Sequence, residues 1–182
     1  MAQTFFPITP VEVTPGTASA WTDVNVGSYI PAGATGVVLH VVNTQTLVTN
    51  YDLGLRKNGS SDDRHPALTY SSHIWAAIGV DTNRIFEAYV GSTSYIDIYL
   101  VGYTMSGVTF FTNAYDKSLS ATGAWTDIDC STEAPSAIGL VWEVYSTDSY
   151  QYGIRKNGSS DDRYGYACLL YTSDAADEED SV

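Results

Sequence analysis

The chain reads as an all-β protein built of tandem antiparallel β-sandwich repeats, of jelly-roll or immunoglobulin-like type, with the second copy truncated. Three observations lead there. The string Arg-Lys-Asn-Gly-Ser-Ser-Asp-Asp-Arg occurs twice, as Arg56 to Arg64 and as Arg155 to Arg163. Apolar residues alternate with polar ones at a period of two in one segment after another. Short polar clusters rich in Gly, Asn, Asp and Ser separate those segments.

The duplication extends well beyond the string. Thr4-Phe5-Phe6 recurs as Thr109-Phe110-Phe111, Ala20-Trp21-Thr22-Asp23-Val24 as Ala124-Trp125-Thr126-Asp127-Ile128, and Gly36-Val37-Val38 as Gly139-Leu140-Val141. The offset falls from 105 (Phe5 to Phe110) to 99 (Arg56 to Arg155), mostly between Thr44/Thr147 and Gly54/Gly153. A length change concentrated in one connection is what a surface loop tolerates. One complete unit therefore spans residues 4–107, and a second, 108–167, stops soon after its basic string.

Within the complete unit the strands follow in order. Residues near Val11, then Trp21 to Val26, Gly36 to Thr44, Tyr51 to Lys57, His73 to Val80, Arg84 to Val90 and Tyr95 to Tyr103 give seven or eight strands. That number in so short a unit is the spacing of a β-sandwich. The continuously apolar Val37 to Val42 predicts a central strand covered on both faces. Ile96, Ile98 and Leu100 alternate with Asp97 and Tyr99, which buries one face only. The last three runs, joined by Asp81-Thr82-Asn83 and Gly91-Ser92-Thr93-Ser94, predict an antiparallel meander. Trp21 and Trp125 hold matching strand positions and are expected in the core.

Cys168 to Glu178 resembles the translation of a transposase-type sequencing-library adapter, so 168–182 is read as an adapter-derived, non-native tail and left out of the fold. The whole chain carries a formal charge of −13; without the tail acids Asp174, Asp177, Glu178, Glu179 and Asp180, 16 acids face 8 bases, giving −8. An acidic chain whose positive charge is gathered in two short strings lacks the broad basic face that nucleic acid requires. Without Cys168 the remaining cysteine is Cys130, and no disulfide framework can form. Met1 opens no signal-peptide pattern, and no run approaches the roughly 20 apolar residues that cross a bilayer.

The two strings hold six of the eight basic residues: Arg56, Lys57, Arg64, Arg155, Lys156 and Arg163. Parity along Tyr51 to Arg56 puts Tyr51, Leu53 and Leu55 on one face and Asp52, Gly54 and Arg56 on the other. Asn58-Gly59 and Asn157-Gly158 then make a turn, because the pair accepts positive φ. Three readings stay open. The arginines pair with the aspartates in a self-neutralising loop, or they form a contact site in which a guanidinium fork grips a carboxylate, phosphate or sugar hydroxyl. The third is a calcium loop through Asp62, Asp63, Asp161 and Asp162, which flanking positive charge disfavours. As surface residues, Arg56 and Arg155 would be replaceable by alanine within about 0.5 kcal/mol. Asn58-Gly59-Ser60 and its copy also match a glycosylation sequon, for which the turn is explanation enough.

Tyr95, Tyr99 and Tyr103 share the face opposite Ile96, Ile98 and Leu100, which makes them candidates for sugar stacking or a protein interface. Nothing points to catalysis. Two of the three histidines, His40 and His65, correspond to Glu143 and Tyr164 in the second unit, and no metal-ligand, nucleophile-elbow or phosphate-loop motif is present. No catalytic residue and no cofactor are expected.

The Trp-Thr-Asp strand, Pro31 to Gly36, the Leu55 to Gly59 turn and the Tyr95 to Tyr103 strand together resemble tandem modules of uncharacterised proteins from environmental and phage-like genomes. From Thr4 to about Ala167 the chain is similar to tail-fibre, surface or adhesion repeats. The resemblance implies a structural or host-contacting role on a virion or extracellular surface. The partners it implies are cell-surface glycan, other structural subunits or further copies of the chain. The alternative is a carbohydrate-binding module attached to an enzyme.

Overall fold

The structure, a computed structural model, describes residues 4–146, 150–166 and 170–173. Among them no helix forms. Eight strands build the first unit: β1 (Phe5–Glu12), β2 (Trp21–Asn25), β3 (Gly36–Asn43), β4 (Tyr51–Lys57), β5 (Ala67–Leu68), β6 (His73–Gly79), β7 (Ile85–Val90) and β8 (Ile96–Thr104). They form two four-stranded antiparallel sheets, ordered β1-β8-β3-β6 and β2-β7-β4-β5. The result is a β-sandwich-like arrangement.

The pairing is nested: β1 with β8, β2 with β7, β3 with β6, and β4 with β5. Among these eight strands only β4 and β5 are neighbours in both sequence and sheet. The meander expected of β6, β7 and β8 is therefore corrected, since β6 and β8 lie in one sheet and β7 in the other. The reason is burial. Phe86, Ala88 and Val90 of β7 and Ile96, Ile98 and Leu100 of β8 are all fully buried, and these apolar faces can cover each other only from opposite sheets. With Val26, Val37, Leu39, Val41 and Leu53 they form a single core. Asn43, also fully buried, donates from Nδ2 to the Leu68 carbonyl (2.9 Å) and so ties β3 in one sheet to β5 in the other.

Two parity expectations change. β3 alternates between buried and half-buried positions, so Val38, His40 and Val42 face outward and the strand is covered on one face. In β8 the register against β3 slips between Leu100 and Gly102, leaving Val101 as a bulge residue. A bulge reverses the facing of everything beyond it. Tyr103 consequently pairs with the buried Val37, packs against the core and stacks on Phe6 (centroids 5.2 Å apart). It does not share a face with Tyr99.

Beyond residue 107 the described strands are β9 (Val141–Val144), β10 (Gln151–Tyr152), β11 (Gly165–Tyr166) and β12 (Leu170–Ser173). β12 pairs with β9; its four residues are the described part of the adapter-like stretch, and the rest of 168–182 lies outside the described residues. β10 and β11 pair Gln151 with Tyr166, as β4 and β5 pair Asp52 with Ala67, an offset of 99 on both strands. The two basic strings thus hang from hairpins in the same register. Among the described residues the buried apolar side chains all fall between Val24 and Leu100, whereas Ile138 is fully exposed.

At about 1.5–3 kcal/mol per buried large apolar side chain, the described residues between 108 and 165, none of which is fully buried, have little to offset their chain entropy. Amide exchange on the purified chain should therefore be slow at β3 and β8 and fast at Val141–Val144. Equal protection of Val141–Val144 in a monomer would contradict this.

Candidate functional site

In each string the Asn-Gly pair makes the turn expected of it. Ser60 N donates to the Lys57 carbonyl and Ser159 N to that of Lys156, both at 3.0 Å, with Gly59 at φ 81° and Gly158 at φ 85°. Only the third turn residue needs positive φ, the pattern of a type II turn. Two residues on, Asp62 N donates to Ser60 Oγ and Asp161 N to Ser159 Oγ, each at 3.1 Å.

The loop is then drawn back onto its own strand by an arginine. Arg56 Nη1 donates to the Asp62 carbonyl (2.6 Å), and Arg155 Nη1 makes the same bond to the Asp161 carbonyl. Each guanidinium lies over a tryptophan ring, Arg56 over Trp21 and Arg155 over Trp125, both 4.0 Å from the centroid. Each indole Nε1 donates to the following aspartate, Trp21 to Asp63 and Trp125 to Asp162, both at 2.8 Å. The floor is glycine: a Cβ on Gly54 or Gly153 would sit 2.5 Å from the indole. Trp21, expected in the core, instead lies half-buried on the outer face of β2, and Trp125, expected at a matching core strand position, is exposed and lies outside any strand. A planar, permanently charged group needs a flat lid, and an indole supplies one while its N–H fixes the next residue.

The open readings of the loop are divided by this geometry. Arg64 lies 3.3 Å from Asp62, and Arg163 pairs with Asp161 at 2.7 Å, as a self-neutralising loop would have it. Arg56 does otherwise, placing Nε and Nη2 on Glu87 of β7 at 2.9 and 3.2 Å with both side chains largely buried. Arg64 also reaches out of its unit to grip Glu143 of β9, with Nη2 at 2.7 Å. The hydrogen bonds to Glu143 push the Arg64 pKa up, against the opposing effect of burial. Asp62, Asp63, Asp161 and Asp162 point at different partners, and among the described residues no three His, Cys, Asp or Glu side chains converge on one point.

What the first string holds is the chain that follows β8. Lys57 Nζ donates to the Phe110 carbonyl (3.1 Å), Ser60 Oγ and Ser61 N donate to Asn113 Oδ1 (2.9 and 2.8 Å), and Ala114 N donates to Asp62 Oδ2 (2.8 Å). Phe110 rests on Gly36 and Gly79, where an added Cβ would come within 2.3 Å of its ring and 2.5 Å of its own Cβ, respectively. Asn58 Nδ2 anchors the turn from the other side, on Asp81 (2.9 Å). Residues 110–114 are thus clamped against the first unit. Phe110 recurs from Phe5 and could have been singled out in the sequence; Asn113 and Glu143 carry no pattern that marks them.

A second cluster lies on the outer face of the other sheet. His40 stacks on Trp75 (4.6 Å), which is 56% exposed, and approaches Tyr99 at 6.4 Å. His40 Nε2 and His73 Nδ1 share a hydrogen bond of 2.9 Å. Burial, and then the charge of His73, lowers the His40 pKa. Tyr95 stacks on Tyr51 at 5.4 Å, away from this cluster. Of the three tyrosine candidates, only Tyr99 belongs to it. Alternation marks a face without saying which face is outward, so nothing in the sequence shows that Trp75, His40 and His73 meet there.

Arg56 is no ordinary surface residue. Arg56→Ala should cost about 2 kcal/mol by stranding Glu87 and the Asp62 carbonyl, not 0.5, and the cycle with Trp21→Ala should show about 1 kcal/mol of coupling. Urea unfolding of the four proteins tests both, and additive losses would contradict the stack. Comparison of the chain with family models, curated proteins and solved structures gave no match.

Proposed function

We propose that this chain is a non-enzymatic structural or attachment module of a virion or cell-surface protein, tail-fibre-like, built from jelly-roll β-sandwich units joined in tandem. One observation carries the reading. The first string receives the opening segment of the next unit through Lys57, Ser60, Ser61 and Asp62, so consecutive units meet at a fixed seam. A flexible linker would leave them independent. The second string repeats the Arg-Trp-Asp clamp, which supports a joint that is used more than once.

The jelly-roll reading is supported by the nested order β1-β8-β3-β6 over β2-β7-β4-β5. Jelly rolls recur in viral capsid and lectin domains, an analogy of fold that favours display and attachment while naming no ligand. Other structural subunits are the partners this reading requires.

A second reading, a carbohydrate-binding module, is favoured by Trp75. It is large, exposed and held flat against His40, as a ring that stacks on sugars would be.

Small-angle scattering on chains carrying two, three and four copies of residues 4–114 tests the first reading. Length should grow by a constant increment per copy, and Asn113→Ala with Asp62→Ala in every seam should turn the rod into a flexible string. Freely jointed units in the unaltered chain would overturn it. Glycan binding lost on Trp75→Ala would favour the second reading.

A further inference from the structure

In the first string the groups that grip the following segment are a lysine ammonium, a serine hydroxyl, a backbone N–H and a carboxylate. They read three features of the bound chain: the Phe110 carbonyl, the Asn113 side-chain oxygen and the Ala114 N–H. All four groups recur as Lys156, Ser159, Ser160 and Asp161. They are also fixed in the same geometry, because both turns close at 3.0 Å, both Asp-to-Ser bonds measure 3.1 Å, and both arginines sit 4.0 Å over their tryptophans. Asp161 Oδ2 is oriented by Arg163 as Asp62 Oδ2 is by Arg64. Lys156, Ser160 and Asp161 stand exposed. Over Gly139, the counterpart of the Gly36 seat under Phe110, the space is open.

We propose that the second string, Lys156 to Asp161, is a docking site for an extended peptide of the Phe-Phe-Thr-Asn-Ala type, supplied as the leading segment of another copy of the module. The inference rests on the seam reading above and adds its recognition chemistry. A phenylalanine carbonyl faces the lysine, and three residues on an asparagine oxygen accepts from the serine hydroxyl and the next backbone N–H. The amide after the asparagine donates to the aspartate. Specificity comes from the asparagine, because neither aspartate nor alanine offers a neutral acceptor there. The occupant is identified by what sits on the first string, residues 108–115 of this same chain.

The test uses the full ¹⁵N-labelled chain and a synthetic peptide of residues 108–115, Val-Thr-Phe-Phe-Thr-Asn-Ala-Tyr. A tethered segment works at an effective concentration in the millimolar range, so the free peptide is titrated to a few millimolar. The Gly158 and Ser160 amides should shift and saturate. A peptide with alanine in place of the asparagine should bind at least about fivefold more weakly, the effect of losing one such hydrogen bond. The Trp125 indole N–H reports independently that the clamp is formed. A formed clamp with silent Gly158 and Ser160 overturns the proposal, as does equal binding of the alanine peptide or an unformed Trp125–Asp162 pair. The Ser61 amide keeps the two levels apart. If Ser61 loses its signature of the Asn113 bond in the untreated chain, the seam reading itself falls; if Ser61 is intact and Ser160 silent, only this inference does.

Discussion

A guanidinium on the outer face of a strand cannot shed its charge, so its flat face has to be covered and its edges bonded. At Arg56 the cover is Trp21, and the edges go to Glu87 and to the carbonyl of Asp62. Much follows from that last bond. It pulls the chain back on itself six residues after the strand, closes the loop around the Asn-Gly turn, and aims Ser60, Ser61 and Asp62 at Asn113 and Ala114. Gly54 makes room for the indole that makes this arrangement stable. Arg56 thereby orders the loop whose polar groups bond residues 110–114.

The same device, an aromatic ring laid on a glycine, recurs along the chain. Trp21 lies on Gly54, Trp125 on Gly153, Phe5 on Gly102, and Phe110 on Gly36 and Gly79. Glycine weakens a strand, and a ring laid over it recovers buried area. The sandwich thereby covers part of its outer surface without a third layer. Phe5 and Phe110 hold equivalent places in the sequence, yet Phe5 covers β8, with which its own strand pairs, and Phe110 covers β3 and β6.

Strand positions and the Asn-Gly turns were legible in the sequence because period-two alternation and positive-φ chemistry are local properties. Sheet assignment was not: β6, β7 and β8 look like a meander, and only the mutual burial of Phe86 with Ile98 and Leu100 across the sandwich separates them. The bulge at Val101 has no residue signature, so Tyr103 could not be told from Tyr99. The six basic residues and their aspartates were identifiable as one constellation from their repetition, but their roles were not. Glu87, Asn113 and Glu143 sit 31, 53 and 79 residues from Arg56, Ser60 and Arg64, and nothing local announces a partner at such distances. Trp21 was expected in the core but lies outside it, since large aromatic residues in strands serve either face.

The central claim is that the basic string holds the following segment rigidly against the first unit. Backbone order parameters from ¹⁵N relaxation across residues 100–116 test it most directly. The clamp predicts values at Phe110 to Ala114 equal to those of β8, about 0.85 as in rigid backbone, whereas a fall below about 0.6 in that stretch would mark a flexible linker and contradict the account.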